Sequence, residues 1–480
     1  LVFPVLFKLD LKNISKKSKL CYRGNIIFQD EDKYRFFKND EIRCLKVKEN
    51  LTFYFLDYDR QLQIKIKKNF FYDNLIVIFY IIVLFQLTII FYSFIEIRSI
   101  NKFYIFLNLI FYIILILYFK YGLQAVSGFS ETIYFKRGMD GMAHYGYARI
   151  ILTQLFTENY FEAFRGVEST FYYMPLLRYV NAISMIFFGE TILGSILIIS
   201  LFGILIYKFL NLIIDDKSSK ILSLIFLIIP LFEALGFSII NYIGFTVDGY
   251  AEGLAYFFLL LIVYFYLLDN KSNFHFFLIG FISFLIIGLR PNYLVFLFSL
   301  IFLYSIYLTY IHNFKKKINN LKLKLFLLFF GTSFFFLFLI HNYFYSNEII
   351  FLVERGNIEG SQKIKVLDYW LLLKSIFSGD FQMELFMKIY NHFRNYIKYY
   401  EFWFIITFIN LLIVLLFKFD IKFKILSLSL LLMHCTYLLF LGTPRYSMGT
   451  WLISFLVFIY AFNYCYYPFL KAKFFQKSNR

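Results

Sequence analysis

From residue 75 onward the chain is a succession of apolar runs, each long enough to cross about 30 Å of hydrocarbon as a helix. They lie at 75–97, 103–119, 191–210, 220–238, 249–268, 272–289, 292–311, 322–341, 401–418, 422–441 and 448–467. A soluble domain cannot hide so much apolar surface in one core, whereas lipid can cover it. Of the 480 residues, 60% are hydrophobic and 24% aromatic, against about 45–50% apolar in ordinary soluble domains. The expected fold class is an all-α polytopic membrane protein of about 11 transmembrane helices plus juxtamembrane helices. A further apolar piece, 171–188, carries Pro175 and Arg178 and reads as a juxtamembrane or re-entrant helix.

Residues 1–73 are different in kind. They are charged and alternate apolar with polar, as in Gln61-Leu62-Gln63-Ile64-Lys65-Ile66-Lys67, the period of a half-buried strand. Gly24, Asn25, Asn39 and Asp40 supply turn signals. A small, mostly β N-terminal soluble domain is expected, and a start at Leu1 rather than Met suggests that residues precede it. The four cysteines form no metal framework. If this domain is exported, Cys21 and Cys44 have the option of pairing; two free thiols is the other reading.

The net charge of +18 would suit nucleic acid if it formed one basic face. Instead the basic residues fall between apolar runs, which excludes that class and sets orientation. Lys208/Lys217/Lys220, Lys315/Lys316/Lys317/Lys322/Lys324, Lys418/Lys422/Lys424 and the tail 468–480, with Lys471, Lys473, Lys477 and Arg480, mark the cytoplasmic side. Arg98 and Lys102 join it by parity. The opposite face then receives 1–73, the long loops 120–190 and 342–400, the 239–248 turn, Arg290 and Gly442–Arg445. Loops of that length in a compact protein are functional or disordered, and their amphipathic stretches favour function.

That outer face carries the chemistry. In Arg137-Gly138-Met139-Asp140-Gly141-Met142-Ala143-His144, Asp140 and His144 are four apart and share a helix face, with Arg149 further along. An acid, an imidazole and a guanidinium there can activate a hydroxyl and bind phosphate; equally, Asp140 can simply cap the helix. Tyr173 and Arg178 flank Pro175 in the re-entrant piece, and Glu168 just before it binds an acceptor or a metal, or is a solvated loop carboxylate. Asp248 and Glu252 flank Gly249. Arg290 and Arg445 adjoin Pro291 and Pro444, and each either snorkels to headgroups or holds phosphate. A divalent metal at Asp140, His144 and Glu168 stays open. No Walker motif, dinucleotide fingerprint or HExxH is present.

The ordered pattern over 75–467 resembles the GT-C superfamily of integral membrane glycosyltransferases, which includes protein O-mannosyltransferases and aminoarabinose transferases. It is carried by Asp140 early in the first large outer loop, Tyr172-Tyr173-Met174-Pro175-Leu176 through Phe188-Gly189, Pro230, Asp248, Arg290-Pro291 and Pro444-Arg445-Tyr446. The resemblance implies a polyprenyl-phosphate-linked sugar donor and transfer at the extracytoplasmic face, with Asp140 as general base or metal ligand. Arg290 and Arg445, with Arg149, would hold the donor phosphate. His144, Glu168, Tyr173, Arg178 and Asp248 would line the substrate site. The location implied is a bacterial inner membrane, with the site facing the periplasm or exterior and membrane lipids as partners. Where many members carry two adjacent acids, Asp140 is followed by Gly141. Two other readings are a transporter or flippase of lipid-linked saccharides and a polysaccharide polymerase or ligase. A transporter calls for ionisable residues near the midplane and internal repeats; here the charges gather at one face and no convincing repeat is visible.

Overall fold

The structure, a computed structural model, describes seven strands between residues 8 and 67, Phe85, and residues 102–121, 139–171, 175–189, 191–229, 239–315, 320–350, 364, 366–400, 402–441 and 444–466. The expected run 75–97 lies outside these residues except for Phe85. So do most of 120–138, the segments 230–238 and 351–363, the tail 468–480 and Tyr173, as do the side chains of Asp140 and Arg445.

The chain divides into two units, Leu1–Leu87 and Thr88–Arg480. In the first, the strands are β1 (Lys8–Asp10), β2 (Lys19–Arg23), β3 (Ile26–Asp30), β4 (Lys33–Phe37), β5 (Arg43–Lys46), β6 (Thr52–Phe55) and β7 (Gln63–Lys67). They pair antiparallel in two sheets, ordered β1-β6-β3-β4 and β5-β2-β7. The alternation through 61–67 becomes β7.

Among its described residues, the regular elements of the second unit are all helical. Its helices are α1 (Lys102–Tyr121), α2 (Met139–Phe156), α3 (Tyr160–Arg165), α4 (Pro175–Phe188), α5 (Leu193–Ser200), α6 (Phe202–Leu210), α7 (Asp216–Ile228), α8 (Ile239–Val247) and α9 (Glu252–Leu267). There follow α10 (Asn273–Leu289), α11 (Leu294–Lys315), α12 (Leu321–Ser333), α13 (Phe336–Ser346), α14 (Val366–Ser378), α15 (Met383–Tyr400), α16 (Phe402–Leu416), α17 (Ile421–Thr436) and α18 (Pro444–Ala461).

Among the described residues, five helical stretches are long and apolar enough to cross a membrane: Leu193–Leu210, Pro291–His312, Leu321–Ser346, Ile421–Phe440 and Tyr446–Tyr466. A sixth arises if α15 and α16, bent by 86° at their junction, count as one. Lys102–Tyr118, Pro175–Phe188, Glu252–Leu267 and Asn273–Leu289 are apolar but shorter. The outward faces are greasy, with Phe298, Phe302, Phe326 and Ile340 exposed, while Ser283, Ser427, Ser429 and His434 are buried. Polar groups inside and hydrocarbon outside is the arrangement that lipid favours.

Helix starts at the basic connections use ordinary caps. The Asp215 carboxylate accepts the Ser218 N–H at 2.9 Å, and the Asp420 carboxylate accepts that of Lys422 at 2.7 Å. Ser272 and His275 form a capping box, which gives His275 a structural role. Across the bundle, α10 and α12 meet backbone to backbone at Gly280 and Gly331. A Cβ at Gly280 would run into the Leu328 carbonyl and lie 2.8 Å from the Thr332 nitrogen, and one at Gly331 would lie 2.5 Å from the Phe277 oxygen. Small residues at a crossing let helices approach this closely in lipid.

A test follows from contrasting glycines. Gly331→Val should lose about 1–3 kcal/mol by forcing the helices apart. Gly146→Ala in α2, where a Cβ meets nothing within 4 Å, should be neutral or gain about 0.5–1 kcal/mol. Thermal unfolding of the detergent-solubilised chain reads both.

Candidate functional site

Three helix ends build the site, and backbone chemistry sets each. α8 ends in a turn whose Gly249 takes φ +73°, a left-handed conformation that glycine adopts without strain. The Gly249 N–H donates to the Thr246 oxygen at 3.1 Å, and that of Tyr250 to Phe245 at 2.8 Å. The chain then turns into α9 with Glu252 in the first turn, where the helix dipole favours a carboxylate. α10 stops at Arg290 because Pro291 follows: the residue before proline is driven to extended backbone, and Arg290 has φ −146° and ψ 90°. Pro291 then opens one turn of 3-10 helix, Pro291–Tyr293, leading into α11.

These turns bring Glu252 and Arg290 into a direct ion pair, 0% and 6% exposed respectively. The Arg290 guanidinium also lies over the Tyr446 ring, 5.1 Å from its centroid. Tyr446 is held in turn through its carbonyl, which accepts from the Tyr437 hydroxyl at 2.7 Å, the Tyr293 hydroxyl at 3.0 Å and the Asn292 amide at 3.3 Å. Arg290 therefore does not snorkel. It is locked between helices.

Arg178, on α4, is 1% exposed. It donates to the Gly166 oxygen at 2.6 Å and to the Glu168 carboxylate at 2.8 Å. Its guanidinium sits 4.5 Å from the Tyr147 ring centroid and 5.1 Å from that of Phe171. The loop that presents Glu168 is pinned from far along the chain by Asn342 of α13. The Asn342 side chain accepts the Phe171 N–H at 2.7 Å and donates to the Phe171 and Ile350 oxygens, both at 3.0 Å. The His341 ring stacks on Phe171 at 3.6 Å between centroids. Neither Asn342 nor His341 is among the residues expected at the site. An asparagine at the end of an apolar run was the available signal, because a buried amide must find partners.

His144 of α2 joins the two arginines. It is 7% exposed, and its pKa is pushed down to about 3, first by burial and then by the charges of Arg178 and Arg290. The imidazole is thus neutral at physiological pH, and both guanidiniums are close enough to act on it. The His144 Nδ1, Arg178 Nε and Arg290 Nε are all buried without a hydrogen-bond partner among the described residues. Each arginine spends part of its fork on a carboxylate and keeps a further donor. Such donors suit an anionic oxygen.

α2 reaches this cluster by close approach. A Cβ at Gly141 would collide with the Asp248 carbonyl oxygen and lie 3.2 Å from the Gly249 Cα. Gly141 therefore sets the backbone beside Asp140 against the half-buried Asp248 turn. Asp140 stands in the first turn of α2, one turn before His144. Arg149 is exposed. Five positions after His144, it is turned about 140° around the helix, while Tyr145, Ala148 and Ile151 face inward. Arg445 follows Pro444 at the start of α18, next to Tyr446.

A metal was left open at Asp140, His144 and Glu168. Among the described residues no three His, Cys, Asp or Glu gather as a metal set, and the Glu168 carboxylate is turned to Arg178. Compared with protein-family models, curated proteins and solved structures, the chain has no significant match.

Two outcomes follow. Glu252→Leu strands a buried guanidinium and should cost about 3–5 kcal/mol, while Glu252→Leu/Arg290→Leu should recover most of that loss; thermal unfolding of the four-member cycle measures the coupling. The second concerns acid. The unfolded chain protonates this imidazole near pH 6.5 and the folded chain only near 3, so its stabilising effect is complete above 6.5 and declines as pH falls toward 3. His144→Gln should accordingly lose less stability than the wild type between pH 6.5 and 4.

Proposed function

We propose that this protein is a membrane glycosyltransferase of GT-C type. It moves a sugar from a polyprenyl-phosphate-linked donor to an acceptor at the extracytoplasmic face of a bacterial inner membrane. In this reading the basic connections face the cytoplasm, all eleven apolar runs span the bilayer, and the β-rich unit is exported. One observation carries most of the weight: two buried guanidiniums and a neutral imidazole converge beside the segment that begins at Asp140, each with a buried nitrogen that lacks a hydrogen-bond partner among the described residues.

The physical roles follow from the groups. Arg178 and Arg290 stabilise the charge that grows on the leaving phosphate as the anomeric carbon–oxygen bond breaks. Their carboxylate and aromatic neighbours hold them in place beforehand, so little reorganisation is needed during reaction. His144 stays neutral and donates or accepts a hydrogen bond without adding charge. Asp140 takes the proton from the acceptor hydroxyl as that oxygen attacks the anomeric carbon from the opposite side, inverting its configuration. The released product is the polyprenyl phosphate.

Purified protein reconstituted with a polyprenyl-phosphate sugar and an acceptor pool should release polyprenyl phosphate. Asp140→Asn should lower that release at least 100-fold, the lower end of about 10²–10⁴ for a general base. A transporter would move the lipid without cleaving it. Absence of release by the wild type across a panel of lipid-linked sugars would end the enzymatic reading.

A further inference from the structure

The β-rich unit holds a pair of residues for which the catalytic reading has no use. Strands β2 and β5 run antiparallel with Cys21 directly opposite Cys44, within four consecutive partners from Lys19↔Lys46 to Tyr22↔Arg43. The other edge of β2 is paired with β7, from Lys19↔Lys67 to Arg23↔Gln63, so β2 is fixed from both sides. Directly opposed residues of an antiparallel pair have Cα atoms about 4.5 or 5.5 Å apart, according to whether they exchange hydrogen bonds. Disulfides bridge Cα separations of about 4.4–6.8 Å. Both kinds of opposed pair fall inside that window.

Size favours such a bond. A β unit of this length buries a smaller fraction of its surface than a large domain does, and exported domains of that kind commonly gain stability from a cross-link. The remaining two cysteines, Cys435 and Cys465, lie in the helical unit and are free.

We infer that Cys21 and Cys44 form a disulfide between β2 and β5; this rests on export of the β-rich unit and not on the proposed catalysis. The oxidant is the disulfide of a thiol oxidoreductase. The Cys21 thiolate attacks one donor sulfur, forming a mixed disulfide and expelling the other donor sulfur as a thiolate. The Cys44 thiolate then attacks the Cys21 sulfur, closes the intramolecular bond and expels the first donor sulfur. Two electrons pass to the donor, which leaves as a dithiol carrying the two protons lost by the cysteines.

The test uses the full chain in cell membranes, quenched with acid, denatured without reductant and alkylated with N-ethylmaleimide. Trypsin cuts after Lys19, Arg23, Arg43 and Lys46, leaving the cysteines on separate peptides, 20–23 and 44–46. The expected product is these two peptides joined, at their summed mass less two hydrogens, and separated by reductant. In Cys21→Ser, Cys44 should become alkylated, and the converse should hold for Cys44→Ser. Alkylation of both peptides in the unreduced wild type, or linkage of either to Cys435 or Cys465, would overturn the inference. Polyprenyl phosphate release from the same wild-type preparation tests the catalytic reading separately, so the two can fail independently.

Discussion

Removing a guanidinium from water costs several kcal/mol even after the protein relaxes around it, and this chain does so twice in one neighbourhood. Arg290 is offset by Glu252, so the first turn of α9 must meet the last turn of α10. Arg178 is offset by Glu168 on a loop with little regular structure of its own. That loop holds its shape because Asn342 satisfies both backbone groups of Phe171, as a neighbouring strand would. Elements scattered from residue 144 to residue 446 are thereby tied to one electrostatic requirement.

Aromatic rings complete the arrangement. Tyr147, Phe171 and Tyr446 cover the cations with π faces, which attract positive charge more strongly once water is excluded. The Tyr446 carbonyl gathers three donors, coupling the start of α18 to the end of α10 through Asn292 and Tyr293. A chain so rich in Tyr and Phe uses some of them as exposed apolar surface and others as a lining for charge.

Much of the helical organisation was legible because hydrophobic length and proline breaks are local properties. The 171–188 run was readable as something short of a full span from Pro175 and Arg178 alone, and it emerges as the 14-residue α4. The placement of Asp140 one helical turn before His144 followed from their spacing. Local pattern failed where the partner was remote. Nothing near Arg290 announces Glu252, and nothing near Phe171 announces Asn342, 171 positions later. Arg149 lies about one and a half turns beyond His144 on the same helix, and helical phase sets it on an exposed face, about 140° from His144. The tight fit of Gly141 against the Asp248 turn was likewise invisible, since a close approach to a remote backbone carbonyl leaves no pattern in the sequence.

On the proposed reading, the crossing of α10 and α12 would limit how an isoprenoid tail enters. Gly280 and Gly331 bring the two backbones into contact there, so the tail would have to pass between other helices.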